Sequence, residues 1–173
     1  QNHIPIWNTE RRQRMKNSPL NVIPKSISML ITNRCSFPED RVNKAILRED
    51  GQAFRIFREM QVKPIADQPE TPGGIFQVWF STKAAPEQTK KLSNLTILGF
   101  TGMPGFRSKI WLLNPETNEF GGIYEFDTEE QALAYQASFA MKFSEWRSMP
   151  GHFRTVVFPS SDTRATIRYS SDR

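Results

Sequence analysis

The chain has 173 residues, of which 38% are hydrophobic and 24% charged, and its formal net charge is +5. This length is that of one domain, and the composition excludes a collagen, a disordered chain and a multidomain assembly. A single cysteine and two histidines exclude an intrachain disulfide and argue against a metal site built only from such protein ligands.

The excess of basic residues lies in the first part of the chain. Residues 1–72 hold 12 basic and 8 acidic residues, whereas residues 73–173 hold 11 and 10. Four of the basic residues form a cluster, Arg11, Arg12, Arg14 and Lys16. Such a cluster suits an arm that binds nucleic acid or an anionic membrane, or a solvated leader that has no partner. We favour the solvated leader and expect no nucleic-acid partner.

Nothing in the sequence predicts a membrane span, because no window of about 18 apolar residues occurs. The sequence starts at Gln1 rather than at a methionine. A membrane contact through a signal or anchor that preceded Gln1 therefore stays open.

Residues 1–72 are predicted to form an N-terminal, partly helical extension. Residues 27–32 suggest a short strand, and apolar residues from Val42 to Phe57 recur at helical spacing, which predicts a helix near residues 40–60. Three prolines and two glycines between residues 63 and 74 then predict a linker. We expect the extension to pack as a cover on the domain that follows.

Residues 73–160 show a regular alternation of predicted elements. The elements are a strand over 74–81, a helix over 86–98, strands over 106–113 and 120–126 joined as a hairpin, a helix capped by Asp127 and running to about 147, and a strand over 153–158. Residues 161–173 form a polar C-terminal tail. The order βαββαβ predicts an α+β, ferredoxin-like domain with one four-stranded antiparallel sheet and two helices on one face.

The strands carry apolar residues on both faces. In the first strand, Phe76 and Val78 alternate with Ile75 and Trp79, so both sides of the sheet require burial. Two helices cover only one side, and the other must meet the N-terminal segment or a second copy of the sheet. We prefer the second copy, which predicts a homodimeric α+β barrel.

Several short motifs resemble those of a known family. They are Met103-Pro104-Gly105-Phe106, Lys109-Ile110-Trp111, and Gly121-Gly122-Ile123-Tyr124-Glu125-Phe126 followed by Ala132-Leu133-Ala134-Tyr135. Over residues 74–158 the chain resembles the YdhR-type monooxygenases, a branch of the dimeric α+β barrel superfamily. Residues 1–72 and the tail have no counterpart in this resemblance.

The resemblance implies a homodimer with a small-molecule pocket between each sheet and its helices. Relatives in the wider superfamily include cofactor-free oxygenases of electron-rich polycyclic phenols, polyketide cyclases and haem-dependent enzymes. We therefore expect a cofactor-independent monooxygenase that acts on a hydrophobic aromatic or polyketide-like substrate, located in the cytoplasm. A polyketide-type cyclase or isomerase, a haem-binding enzyme, and a non-catalytic ligand-binding or scaffold dimer are the alternatives.

A cofactor-free oxygenase needs an aromatic pocket, a group that removes a proton, and donors that stabilise the resulting oxyanion. The predicted catalytic residues are His152, Tyr124 and Arg107. The predicted substrate-binding residues are Trp79, Trp111, Gln77, Asn94 and Arg154, and Lys109 is a further polar candidate. His152 is the candidate base because imidazole is the common general base of enzymes, and it is also the axial ligand expected in the haem alternative.

Each of these residues also has a structural interpretation. Strand aromatics are common in cores and interfaces, a loop histidine can bind backbone or water, and arginines often cover sheet edges. Other chemistries lack their motifs, since no nucleophile elbow, P-loop or dinucleotide-binding glycine pattern follows a strand. The Gly121-Gly122 pair indicates a strand position where another group approaches closely.

Overall fold

The computed structural model describes residues 16–169. In chain order the elements are α1 (Pro19–Ile31), β1 (Cys35–Ser36), β2 (Ala45–Leu47), β3 (Ala53–Val62), β4 (Gly74–Phe80), α2 (Pro86–Thr96), β5 (Phe106–Leu113), β6 (Phe120–Phe126), α3 (Glu129–Gln136), α4 (Phe139–Arg147), β7 (Phe153–Pro159) and β8 (Arg168–Tyr169). Short 3-10 helices, Ile97–Gly99 and Thr163–Ala165, follow α2 and β7. Within residues 16–169, no helix is long and apolar enough to cross a bilayer. Arg11, Arg12 and Arg14 of the basic cluster lie outside the described residues.

The ferredoxin-like domain predicted from the sequence is confirmed. Strands β7, β4, β6 and β5 lie side by side in that order, and every pairing among them is antiparallel. Strands β5 and β6 have the predicted bounds, and β4 and β7 differ from theirs by one residue at one end.

The N-terminal residues differ from the prediction. The expected strand over 27–32 is the end of α1, and the expected helix near 40–60 is wrong, because β2 and β3 occupy this segment. The two strands are joined by a turn at Gly51, whose φ of +83° suits glycine. The apolar residues of these two strands happen to recur every three or four positions, which is the spacing that predicts a helix.

These N-terminal strands belong to the same sheet as the predicted domain. Strand β3 pairs with β5, and β2 lies between β3 and β8. Residues 1–72 therefore contribute to the sheet itself, in addition to the cover supplied by α1.

The long helix expected after β6 is two helices. Thr128, and not Asp127, is the N-cap of α3: its hydroxyl accepts a hydrogen bond from the Gln131 backbone, and the Gln131 side chain accepts one from the Thr128 backbone. A second N-cap, Ser138, begins α4 and accepts a hydrogen bond from the Met141 backbone. Helix α3 therefore ends at its C-cap, Ala137, and α4 begins at the next residue, the N-cap Ser138.

The alternation of side chains gives the sheet two apolar faces. Phe76 and Val78 face the helices, whereas Ile75 and Trp79 face the other side. The second face is buried within one chain by residues of β2, β3 and the segment after β7, namely Ile46, Phe54, Ile56, Ala165 and Ile167. The burial argument for a second copy is therefore corrected, because the chain covers this face itself.

A buried ion pair holds the curled end of the sheet together. Glu59 in β3 accepts two hydrogen bonds from the Arg41 guanidinium and a third from Gln61. Burial raises the pKa of Glu59, but these hydrogen bonds outweigh it and hold that pKa below its ordinary value. Arg41 also donates to the Tyr169 hydroxyl at 3.4 Å, which links β3 to β8.

The place of β3 in the core predicts the effect of a truncation there. Ile56 is fully buried, so Ile56→Ala should lower the free energy of unfolding by about 2–5 kcal/mol. Ile65→Ala, at an exposed residue of the loop before β4, should change it by less than about 0.5 kcal/mol. Urea unfolding measures both variants. Equal, small effects would mean that residues 1–72 are a peripheral extension after all.

Candidate functional site

A cavity of about 270 Å³ lies between the helix-facing side of the sheet and the helices. Its volume is just below the roughly 300–1,000 Å³ range of ligand pockets, which favours a small ligand. The sheet contributes Phe57, Val78, Phe80, Lys109, Trp111, Phe120, Gly122 and Tyr124 to the walls. The helices contribute Ile23, Leu92, Ser93, Leu95, Tyr135, Phe139, Phe143 and Arg147, among others, and no aspartate or glutamate lines the cavity.

Lys109 is the charged residue at the base of this cavity. It lies in the middle of β5, between Tyr124 of β6 and Met60 of β3, and alternation puts it on the helix side because Ile110 faces the other core. Only 4% of its surface is exposed. Its Nζ lies 4.3 Å from the ring centroid of Trp111, 4.4 Å from that of Tyr124 and 4.5 Å from that of Phe100.

The surroundings of Lys109 disfavour its charged form. Among residues 16–169 it makes no ion pair. Burial, together with the nearby positive charge of Arg58, lowers the pKa of Lys109 well below its ordinary value. The three ring faces attract the ammonium by about 0.5–2 kcal/mol each and oppose this shift. Desolvation of a fully buried ammonium is the larger effect, so the direction stays downward.

A pair of tyrosines lies beside Lys109. The Tyr124 and Tyr135 rings have centroids 4.9 Å apart, and both residues line the cavity. Burial raises the pKa of both phenols, and the electrostatic interaction with the neighbouring Tyr124 phenol raises the pKa of Tyr135 further. Both phenols therefore keep their protons, and Tyr124 is suited to donate a hydrogen bond to an oxyanion.

Further polar groups flank the wall formed by Trp111. The indole Nε1 of Trp111 is buried and has no hydrogen-bond partner among residues 16–169. An unpaired buried donor costs about 1–3 kcal/mol, which a ligand oxygen could recover. The Arg58 guanidinium lies 5.3 Å from the Trp111 ring and donates a hydrogen bond of 3.0 Å to Ser93 Oγ.

The two adjacent glycines of β6 each make room on one face. A Cβ on Gly122 would lie 2.9 Å from the Tyr124 ring and 3.2 Å from Val78, on the cavity side. A Cβ on Gly121 would lie 2.4 Å from the Trp79 ring, on the opposite side. The sequence predicted that another group approaches this glycine pair closely. The approaching groups are side chains of the same chain, Trp79 at Gly121 and Tyr124 and Val78 at Gly122.

Two of the predicted site residues, Tyr124 and Trp111, line the cavity. Trp79 and Gln77 do not, because their odd positions in β4 turn them to the second face. There Trp79 packs on Phe54, and the Arg48 guanidinium lies 5.0 Å from its ring.

The other predicted site residues also lie away from the cavity. Arg107 donates hydrogen bonds to the carbonyls of Pro69 and Glu70 and so fastens the loop before β4. Asn94 is exposed on α2, and Arg154 is exposed and pairs with Glu119 at 3.2 Å. These polar side chains have structural or solvent contacts instead.

His152 is likewise exposed, in the turn before β7, where its backbone bonds Met149 and Ser81. It does not line the cavity, so it does not fit the axial haem ligand expected in the haem alternative.

Sequence reasoning missed Ser93 and Tyr135, which line the cavity, and Arg58, which donates a hydrogen bond to Ser93. The tertiary fold alone brings these residues together. Lys109 was one polar candidate among several. Its signal was a lysine inside a strand whose neighbours, Ile110 and Trp111, are large and apolar.

The environment of Lys109 predicts how stability depends on pH. Between the lowered pKa of the folded chain and the ordinary value of about 10.4, the unfolded chain binds more protons. Stability should therefore rise with pH across this window, by at most about 1.4 kcal/mol per pH unit, and fall as pH falls. Lys109→Met should remove this dependence and be more stable than the wild type at neutral pH.

Urea unfolding from neutral pH to about pH 10 tests this expectation. Lys91→Met, at an exposed lysine of α2, is the matched control and should follow the wild type. Identical pH profiles for the wild type and Lys109→Met would show that Lys109 is not desolvated.

Comparison with known proteins gives one family match. Residues 71–151 match the family model described as "Putative mono-oxygenase ydhR". No curated protein matches the chain.

Several solved structures are similar in part. SnoaB, a cofactor-independent oxygenase from Streptomyces nogalater, is 16% identical with a TM-score of 0.44, over 54% of this chain and 97% of that one. LmHde, a heme-degrading enzyme from Listeria monocytogenes, is 14% identical with a TM-score of 0.47, over 77% and 91%. A monooxygenase-like protein from Listeria innocua is 11% identical with a TM-score of 0.45, over 85% and 88%. It is the family match that confirms, over residues 71–151, the resemblance of this chain to the YdhR-type monooxygenases.

Proposed function

We propose that the chain is a small-molecule enzyme, a cofactor-independent monooxygenase whose substrate is a hydrophobic aromatic molecule with an ionisable hydroxyl or an acidic C–H. The observation that carries the proposal is the desolvated Lys109 at the base of an apolar, aromatic cavity. The match to a family described as mono-oxygenases supports the type of reaction.

The first step is removal of a proton from the substrate. Burial lowers the pKa of Lys109, so this lysine is an uncharged amine over a wider pH range than an exposed lysine, and an uncharged amine accepts a proton. The product of this step is an ammonium beside a substrate anion, and each stabilises the other in the apolar cavity. The Tyr124 hydroxyl is available to donate a hydrogen bond to the anionic oxygen.

The substrate anion itself reduces oxygen in the steps that follow. Anthrone is an example. One molecule of O2 converts its methylene carbon to a carbonyl, and one oxygen atom stays in the product while the other is released as water. The methylene carbon supplies all four electrons, and its two hydrogens end in the water. The balance therefore requires no external reductant.

The charge of the cavity walls also favours an acidic substrate. Lys109 and Arg147 are the basic lining residues, and no carboxylate is among the described residues that line the cavity. A carboxylate at this place would hold Lys109 in its charged form and prevent it from acting as a base. The homodimer and the cytoplasmic location stay predictions.

Oxygen uptake with anthrone tests the proposal. The wild-type protein should consume one O2 for each anthraquinone formed, faster than the spontaneous reaction. Lys109→Met should lower the rate by about 100-fold or more, the usual contribution of a general base. Tyr124→Phe should lower the rate by at least about tenfold through loss of one oxyanion donor.

Lys91→Met is the control and should keep the wild-type rate, because Lys91 is exposed on α2 and does not line the cavity. Equal rates for Lys109→Met and the wild type would contradict the role of Lys109. Conversion of anthrone or of an enolisable polyketide-like probe without oxygen uptake would favour the cyclase alternative, which starts with the same proton removal. Binding of anthrone without any conversion would favour the non-catalytic alternative.

A further inference from the structure

Helix α1 is apolar on two opposite sides. On one side Val22 and Ser26 are buried, and the Ser26 hydroxyl bonds the Leu98 carbonyl at 3.0 Å and the Gly102 amide at 2.7 Å. On the other side four residues at spacings of four, three and four share one face, Leu20, Pro24, Ile27 and Ile31. We call these four residues the α1 stripe.

The α1 stripe is exposed. Leu20 is 86% exposed and Ile31 is 78% exposed, while Ile27 and Pro24 are also exposed. A helix that is apolar on opposite sides is normally buried on both. The stripe therefore indicates a surface that is covered when the protein binds something.

The charge of the segment that contains the stripe indicates what covers it. Residues 16–38, which include α1, contain three basic residues and no acidic residue. Lys25 is exposed on the helix. An apolar helix face with an excess of basic residues around it is the composition of helices that lie in the surface of an anionic bilayer.

The position of α1 beside the cavity supports the same partner. Ile23 of α1 lines the cavity, and so do Leu95 of α2 and Phe143 of α4, both of which are exposed. Trp146, which is 79% exposed, stacks on Phe143 with ring centroids 6.0 Å apart. The cavity is thus bordered by exposed apolar and aromatic residues, as suits a ligand that enters from a lipid phase.

We propose that the α1 stripe docks the protein on an anionic lipid membrane. The stripe enters the boundary between head groups and acyl chains, and the exposed Lys25 of α1 contacts the acidic head groups. Basic residues near such a surface and apolar residues buried in it both strengthen the binding. Docking does not depend on the reaction proposed above, so each can fail while the other holds.

Co-sedimentation with vesicles tests the docking. The full chain should bind phosphatidylcholine vesicles that contain phosphatidylserine, bind pure phosphatidylcholine much more weakly, and lose affinity as salt is raised. The double variant Leu20→Gln, Ile31→Gln should bind the anionic vesicles about tenfold or more weakly. Its melting temperature should be unchanged, because both residues are exposed.

The matched control is Ile65→Gln, Leu133→Gln, which removes two exposed apolar residues outside α1 and should bind like the wild type. Equal vesicle binding by the wild type and the stripe variant would overturn the proposal, as would absence of binding by the wild type. A lipid-free dimer that the stripe variant dissociates would assign the stripe to a second copy and overturn it too.

An environment-sensitive dye at Ile31→Cys, in a Cys35→Ala background, checks the stripe directly. Its emission should shift to the blue only when anionic vesicles are added. A blue-shifted emission without vesicles would mean that this chain itself covers the stripe in solution, which would overturn the proposal.

Discussion

A sheet that is apolar on both faces needs a cover on each, and this requirement organises the structure. Helices cover the face that carries Phe76 and Val78, and β2, β3 and the segment after β7 cover the face that carries Ile75 and Trp79. The second cover packs tightly, and even Gly121 is needed to make room for the Trp79 ring. The helix side keeps a cavity instead. The asymmetry between a filled face and an open face therefore determines where a ligand can bind.

Lys109 is the residue that this arrangement does not explain as packing. Its side chain lies on the cavity side among three rings, without a carboxylate among the described residues. A buried cation without a partner destabilises the folded chain, whereas methionine would fill the same space without that cost. Local violations of packing rules occur mainly at functional sites, because function can require them. The same reasoning applies to the unpaired indole N–H of Trp111.

Much of the fold could be predicted from the sequence, because alternation and turn residues mark the strands from Gly74 onwards. The N-terminal half could not, since two short strands around Gly51 imitate the spacing of a helix. For the site, alternation separates residues within one strand, but it does not relate Trp79 to Trp111 on another strand, nor does it say which face the helices cover. His152 and Arg107 were chosen for their chemical type. In the folded chain His152 is exposed, and Arg107 hydrogen-bonds the loop before β4. Arg58 and Ser93, from β3 and α2, meet only in the folded chain.

The protonation state of Lys109 is the central point of the account, and it can be observed directly. A chain with 13C-labelled lysine Cε atoms would be titrated by NMR, and the Lys109 signal would be assigned by its loss in Lys109→Arg. The account predicts a titration midpoint well below the ordinary value of about 10.4, and a change of this signal toward the ammonium form when an acidic aromatic ligand such as anthrone binds. The account would be contradicted by a Lys109 signal that has the same titration midpoint as the exposed lysines and does not change when the ligand binds.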